Sequence, residues 1–235
     1  MLNDFIYDFI NNEDISFQIR MDILDVYFES RRGARVICRF NKEVESIVKY
    51  ILQLNLTISV GKGHVFISSS DFNDNFEKSR NNHLNGIPLY IAKNQEYADK
   101  LRMYDEDCDD YKFGQFLSYP SCCIDFVKLN QKVPKLIEAL KYLVIKNKYN
   151  VWCWPVASIS DSSLLTHFPC SFNCVESQQL SKTRFKLLTK YGSEFLINKI
   201  VKYHTLNYYI ENQKIKFTSD NNVSFISPNE SINEL

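Results

Sequence analysis

Two short cysteine motifs constrain this chain more than any other feature of its sequence. The first, YPSCC, ends in Cys122 and Cys123, and the second, HFPCSFNC, contains His167, Cys170 and Cys174. Each motif places a proline just before its cysteines, and proline is tolerated where a helix begins but not in its interior. A fold that brings the motifs together gathers four thiols and an imidazole, which are ligands of zinc and of iron–sulfur clusters.

The residues around the second motif predict the start of a helix. Pro169 disfavours a helical conformation at the residue before it. Asn173, followed three residues later by Glu176, fits a capping pattern with Asn at the N-cap. This places Cys174 in the first helical turn and Cys170 in the turn before it. Unpaired N–H groups and the positive end of the helix dipole favour a thiolate at such a position.

The first motif predicts a second helix start. Pro120 suits the first helical turn, Ser121 is a candidate cap, and CCIDFVKL continues as a helix. Cys122 and Cys123 then also lie at a helix N-terminus. Adjacent residues of a regular helix diverge by about 100°. The sequence therefore leaves open whether both thiols bind the same ion.

Composition favours a reduced, soluble protein. The chain has 235 residues, which suits one large domain or two small ones, and its seven cysteines are an odd number. The N-terminal sequence has no basic start and no small-residue cleavage site, so no signal peptide is predicted. No apolar run approaches the roughly 18 residues of a membrane span. We therefore expect a cytoplasmic location, where clustered cysteines more often bind metal or react than form disulfides.

The net charge gives no signal for a nucleic-acid or membrane partner. The chain carries 28 basic and 28 acidic residues, so no overall field favours nucleic acid or an anionic membrane. Four arginines lie close together in the sequence and are candidates for binding a phosphate or a carboxylate, although a solvated turn before a strand is the preferred explanation: Arg31, Arg32, Arg35 and Arg39.

Hydrophobic periodicity predicts an α+β fold. The N-terminal region is a small mixed sheet unit over 1–111, and the C-terminal region over 112–235 is mostly helical and carries the cysteine site. The predicted elements of the first region are one or two helices over 2–30, a strand over 34–40, a helix over 41–54, a hairpin over 57–60 and 64–69, a loop over 71–86, a strand over 87–93 and a helix over 94–107. Those of the second region are helical segments over 113–130, 133–147 and 174–211 and a hairpin over 213–228.

Four cysteines are the predicted metal ligands, and His167 is a fifth ligand or a proton carrier. Tyr119 is the other candidate catalytic residue, because it begins the first motif and flanks the cysteines. The metal is zinc or an iron–sulfur cluster. Thiol redox chemistry at Cys170 and Cys174, or a purely structural role for buried cysteines, remain open as alternatives. Cys153, between two tryptophans in WCWP, belongs to the core or to the wall of a pocket beside the site.

The segments FGQFLSYPSCCIDF (113–126) and HFPCSFNCVESQQL (167–180) resemble the paired signatures of a family of prokaryotic proteins known as DUF483. In that family the signatures are G-x-L-L-G-Y-P-x-C-C and H-x-P-C-S-x-x-C-x-x-S. The resemblance covers roughly 87–190 and departs at Ser118, where the family pattern has glycine. It implies no activity, because the family has no settled one. The shared residues are Gly114, Tyr119, Pro120, Cys122 and Cys123 in the first signature and His167, Pro169, Cys170, Ser171, Cys174 and Ser177 in the second.

Three functions are compatible with these motifs. The first is an enzyme that uses the metal centre on a small molecule or a peptide. The second is a non-catalytic protein whose structural zinc site serves binding to a protein or a nucleic acid. The third is a metal-free thiol redox protein. Substrate, reaction type and oligomeric state have no signature in the sequence.

Overall fold

The computed structural model describes residues 2–38, 42–62, 86–129, 151–153, 163–171, 173–205, 207–211, 214–219 and 222–226. The chain divides into two compact units. One is formed by Met1–Ser68 and Asn75–Leu129, and the other by Ser69–Asp74 and Asn130–Leu235.

The sheet of the first unit has three antiparallel strands. They are β1 (Gly33–Cys38), β2 (Thr57–Val60) and β3 (Ile87–Ala92), in the order β1-β3-β2. The last strand in the chain is therefore the central one. Ala92 is the register partner of Gly33 on one side and of Thr57 on the other. Leu89 to Ala92 are all buried, as expected for a strand paired on both edges.

Six helices of the first unit lie in the described ranges. Asn94 caps α4 by accepting from the Tyr97 N–H at 2.9 Å, and Asp109 caps α5 by accepting from the Lys112 N–H at 3.1 Å. The helices are α1 (Leu2–Ile10), α2 (Phe17–Tyr27), α3 (Lys42–Gln53), α4 (Gln95–Glu106), α5 (Asp110–Phe116) and α6 (Ser121–Leu129).

A buried tyrosine connects the sheet of the first unit to α4. The Tyr90 hydroxyl donates to Asp105 Oδ2 at 2.6 Å, and Asp105 also accepts from Arg35 Nη1 at 2.9 Å. Burial, together with the neighbouring carboxylate, raises the pKa of Tyr90. Tyr90 belongs to a buried cluster that includes Leu101, Phe116 and Leu117. Tyr119, in the connection between α5 and α6, packs against this cluster.

The second unit is described in six separate ranges. A short 3₁₀ helix spans Val151–Cys153, and the loop 163–171 leads toward α7 (Val175–Tyr191) and α8 (Glu194–Thr205). An antiparallel sheet follows, with strands β4 (Asn207–Glu211), β5 (Lys214–Ser219) and β6 (Asn222–Ile226) in that order.

The structure confirms the α+β fold class. Strands β1 and β3 and helices α3 and α4 fall where strands or helices are predicted, within one or two residues at each end. The terminal hairpin is also confirmed as β5 and β6. The predicted segments 64–69, 71–85 and 133–147 lie outside the described residues, and the domain boundary at 111/112 stays a prediction.

Two predicted helical segments are wrong in part. The segment 113–130 is interrupted between α5 and α6, because Ser118 adopts the left-handed region with φ of 56°. The segment 174–211 is divided at Gly192, which ends α7, and its last five residues form β4 instead of a helix. The sequence NYYIE at this position pairs with β5 along its whole length. Strand pairing therefore overrides the helical spacing there.

None of the helices in the described ranges combines the length and the apolar character that crossing a membrane requires.

Candidate metal centre

The first cysteine pair is presented by a tight connection between α5 and α6. Helix α5 ends with the Ser118 N–H donating to the Gln115 carbonyl and the Tyr119 N–H donating to the Gly114 carbonyl, both at 3.0 Å. These two hydrogen bonds, with Ser118 at positive φ, form a Schellman motif. The chain therefore reverses within three residues and enters α6 directly.

Helix α6 begins at Ser121, directly after Pro120. The Pro120 carbonyl accepts from the N–H groups of Cys123 at 2.9 Å and of Ile124 at 3.0 Å. Pro120 is thus the residue before the helix, and Ser121 is its first residue rather than its cap. Cys122 and Cys123 lie in the first turn, as predicted. Their sulfur atoms are 3.9 Å apart, so the divergence of adjacent helical residues does not separate these two thiols.

Helices α5 and α6 approach each other at a glycine. A Cβ atom on Gly114 would lie 3.0 Å from Ile124 Cγ1 and 3.1 Å from its Cδ1. A side chain at this position would displace the isoleucine, which directly follows Cys123 in α6. The close approach fixes the start of α6 against α5.

The second cysteine pair lies at the start of α7. Cys174 itself is the N-cap residue, with φ of −61° and ψ of 107°, and its side chain makes no capping hydrogen bond. Its N–H donates to the Ser171 carbonyl at 3.1 Å, and its carbonyl accepts from the Gln178 N–H at 3.0 Å. The prediction of Asn173 as N-cap, with Glu176 completing a capping box, is therefore wrong by one residue. Cysteine replaces the expected polar cap, and its sulfur lies at the positive end of the helix.

The structure brings the four predicted cysteines together. The Sγ atoms of Cys122, Cys123, Cys170 and Cys174 all lie within 4.8 Å of one another. Cys122 is exposed, Cys123 and Cys174 are buried, and Cys170 is intermediate. All seven cysteines of the chain lie in the described ranges, and none of them is in a disulfide. Four thiols at this separation are a group that could hold a metal ion.

A fifth cysteine lies beside this group without belonging to it. Cys153 is fully buried, and its Sγ donates to the Cys174 carbonyl at 3.5 Å. Burial, and then the charges of the neighbouring Cys174 and Cys170, raise the pKa of Cys153 to about 12. The thiol therefore stays protonated and acts as a hydrogen-bond donor. The short helix that carries Cys153 is held on α7 by the Ser181 hydroxyl, which donates to the Trp152 carbonyl.

His167 and Tyr119 both have structural partners. His167 lies outside the four-cysteine group, and its Nε2 is 2.9 Å from the hydroxyl oxygen of the buried Ser177. This contact ties the loop 163–171 to α7. The Tyr119 ring lies under the Arg31 guanidinium, with 5.2 Å from Cζ to the ring centroid. The predicted roles of His167 as ligand or proton carrier and of Tyr119 in catalysis stay predictions.

Sequence reasoning missed the part that Arg31 plays near the first motif. Its side chain is 4% exposed. Its Nε donates to the Leu117 carbonyl and its Nη1 to Asp22 Oδ1, both at 2.7 Å. Asp22 and Asp25 could have indicated this, because two carboxylates three residues apart on a largely buried helix require a cation. Of the three described arginines in that group, Arg31 and Arg35 bind carboxylates of this same chain.

Comparison of the chain with protein-family models, with curated proteins and with solved structures finds no match. The resemblance to DUF483 therefore stays a prediction.

Proposed function

We propose that Cys122, Cys123, Cys170 and Cys174 bind one zinc ion as thiolates, and that this zinc stabilises the segments that carry them. The observation that supports this most is the mutual distance of the four sulfur atoms, at most 4.8 Å. Zinc binding by four cysteines is characteristic of structural zinc sites.

The distances favour a single ion over a cluster. Zn–S bonds of about 2.3 Å at tetrahedral angles place ligand sulfurs about 3.8 Å apart. The Cys122 and Cys123 sulfurs are already 3.9 Å apart. The remaining sulfur–sulfur distances, which are at most 4.8 Å, need to shorten by no more than about 1 Å. An iron–sulfur cluster distributes its cysteines over two or more irons. Its ligand sulfurs therefore lie farther apart, and this group would have to expand to hold it.

Backbone electrostatics also favour thiolates here. Cys122 and Cys123 occupy the first turn of α6, and Cys174 is the N-cap of α7. The positive ends of both helices stabilise negative sulfur. The protonated Cys153 donates to the Cys174 carbonyl, so it neither competes for the ion nor adds a fifth negative charge.

A zinc ion with four protein ligands has no open position for a substrate, which is why we propose a stabilising function. Structural zinc contributes its binding free energy to folding, because the site does not exist in the unfolded chain.

The exposure of Cys122 supports a second candidate function. It is the one solvent-exposed thiol of the group. If its thiolate leaves the metal, a small molecule or a peptide gains a coordination position, as in catalytic zinc sites with three protein ligands. In such an enzyme His167 and Tyr119 are the candidate proton carriers. Cys122→Ser would then retain the metal, whereas Cys123→Ser would lose it. A closed structural site loses affinity in both variants.

Metal analysis of anaerobically purified protein tests the proposed function. We expect a colourless protein with one equivalent of zinc, which Cys123→Ala and Cys170→Ala lose. Cys38→Ala, at a buried cysteine outside the group, and Cys108→Ala, at an exposed one, are matched controls that should keep the metal. A brown protein with iron and inorganic sulfide would identify a cluster instead. A protein with no metal and freely titrating thiols would rule out both kinds of centre.

A further inference from the structure

We propose that Arg31 is a positioning residue for the metal centre: it fixes the turn before α6 and thereby the first two ligands, Cys122 and Cys123. This inference rests on the proposed function, since it assigns a role relative to the same zinc site. It goes beyond that function by assigning a role to a residue that is not a metal ligand and that lies far from the cysteines in sequence.

The guanidinium of Arg31 makes three different contacts at once. Its Nε donates to the Leu117 carbonyl at 2.7 Å, its Nη1 donates to Asp22 at 2.7 Å, and its face covers the Tyr119 ring. A second carboxylate, on Asp25, lies 4.0 Å from Nη1. Charge-assisted hydrogen bonds in a buried site are stronger than neutral or exposed ones. The group therefore holds two residues of the turn against α2.

The contact with Leu117 completes the end of α5. The Schellman hydrogen bonds satisfy the carbonyls of Gly114 and Gln115, and Leu117 is the C-cap residue just beyond them. Carbonyls at a helix C-terminus lack an intrahelical partner, and they carry the negative end of the dipole. A cation that donates to this carbonyl is therefore favoured by both effects. The Arg32 N–H adds a weak contact to the Ser118 hydroxyl at 3.4 Å.

The turn transmits this restraint to the cysteines over a very short distance. Pro120 follows Tyr119 directly, and its carbonyl accepts from the Cys123 N–H. Because φ of proline is fixed, a rotation of the turn moves the whole first turn of α6. The contact of Gly114 with Ile124 leaves α6 little room to adjust separately. Displacement of the turn therefore displaces the Cys122 and Cys123 sulfurs from the other two.

Arginine is required because no other side chain makes the three contacts. A lysine ammonium can bind Asp22 or the Leu117 carbonyl, but it lacks the planar fork that donates in two directions and stacks on Tyr119. Arg31→Lys keeps the charge that balances Asp22 and Asp25. It is therefore the variant that separates positioning from simple charge neutralisation. Arg35→Lys is the matched control, because Arg35 also binds an aspartate and stacks on an aromatic ring, Phe113, which lies in α5 before the turn.

The test measures zinc affinity by competition with a chelator in wild type, Arg31→Lys and Arg35→Lys. We expect Arg31→Lys to bind zinc about tenfold to a hundredfold more weakly, the usual effect of losing a residue that orients metal ligands. Arg35→Lys should bind like wild type. The absorption of bound Co²⁺, which reports the number of thiolates, should change in Arg31→Lys alone. A merely structural arginine would lower the melting temperature of the metal-free protein without changing this spectrum.

Unchanged zinc affinity and an unchanged Co²⁺ spectrum in a folded Arg31→Lys would overturn the inference while leaving the zinc site intact. If Arg31→Lys fails to fold, Asp22→Asn weakens one restraint on the arginine. The zinc affinity and the Co²⁺ spectrum of that variant then test the inference. A wild-type protein that binds neither Zn²⁺ nor Co²⁺ would overturn the proposed function and this inference with it.

Discussion

At the scale of single residues, two exposed cysteines in different environments give a direct test of metal binding. Cys108 and Cys122 are both exposed, but only Cys122 belongs to the four-thiol group. A thiolate bound to zinc reacts slowly with alkylating reagents, because its lone pair is shared with the metal. We expect Cys108 to be alkylated rapidly in all states and Cys122 to be alkylated rapidly only after chelation. Peptide mapping by mass spectrometry measures both rates in one sample.

Cys108 is the internal control in that experiment, since its rate should not respond to the chelator. Equal alkylation of Cys122 before and after chelation would contradict metal binding at this thiol. If Cys122 alone reacts in the zinc-loaded protein while the other ligands stay protected, the second candidate function gains support.

The ligands themselves could be predicted from residue type and local pattern, whereas their neighbours could not. Cysteines beside prolines at two helix starts are a local signal, and the structure brings those four thiols together. The hydrogen bond of Cys153 to Cys174 and that of Arg31 to Leu117 join residues far apart in sequence. No periodicity or spacing encodes such contacts, because they depend on how the elements pack.

At the scale of secondary-structure elements, the α5–α6 connection contains a residue that is poorly suited to its backbone conformation. Ser118 has φ of 56°, where a side chain costs energy that glycine does not incur. We expect Ser118→Gly to raise the free energy of unfolding, by up to about 1 kcal/mol. Its hydroxyl accepts only a 3.4 Å contact from the Arg32 N–H, so little is lost. Urea denaturation measures the change.

Gln115→Gly is the matched control for this substitution, because Gln115 is exposed in the same helix. Glycine within a helix destabilises by about 1 kcal/mol, so the two glycine variants should shift stability in opposite directions. A loss of stability in Ser118→Gly would show that the serine hydroxyl matters more than the backbone conformation.

The N-caps of α4 and α5 should differ in how their contribution to stability depends on pH. The Lys112 side chain, and then its backbone N–H, lower the pKa of Asp109 below the ordinary value of 3.8. Since the folded pKa is depressed, the cap contributes stability above the unfolded pKa and loses it as the pH falls through the folded pKa. Asp109→Ala should therefore lower the melting temperature at neutral pH and have little effect in strong acid.

The equivalent cap of α4 is Asn94, whose side chain does not titrate, and Asn94→Ala removes it. Its effect on the melting temperature should be the same at neutral and at acid pH. A pH-independent effect of Asp109→Ala would mean that its charge contributes nothing beyond the hydrogen bond.

Element boundaries were predictable where a local signal marks them and not elsewhere. The predicted helix over 94–107 starts at Asn94, and the structure shows that the Asn94 side chain caps α4. The end of α5 has no glycine or proline at the reversal itself, since Ser118 takes the position that glycine usually occupies. The strand β4 has apolar residues at spacings that also fit a helix, and only its pairing with β5 decides between the two.

At the scale of the whole molecule, the fold class followed from composition and pattern, but the topology did not. The predicted order of helices and strands in the N-terminal half indicates an α+β unit. Nothing local indicates that β3 lies between β1 and β2, or that β2 pairs with β3. Long-range pairing depends on which apolar faces bury best together, and β3 has the most continuous burial of the three strands in this sheet.

At this scale, removal of the metal should lower the melting temperature if the zinc site is structural. A ligand that binds only the folded state stabilises it by RT ln(1 + [L]/Kd), about 2.7 kcal/mol at a hundredfold excess over Kd. The melting temperature should therefore rise steadily with the logarithm of free zinc concentration and fall on addition of a chelator. Cys170→Ala should melt at one temperature regardless of zinc.

Hydrogen exchange should show that chelation reduces protection first in the residues around 117–129 and 163–180, while β1 and β3, whose hydrogen bonds do not involve the cysteines, stay protected. A wild-type melting temperature that is independent of both zinc and chelator would leave the four thiols without a stabilising role.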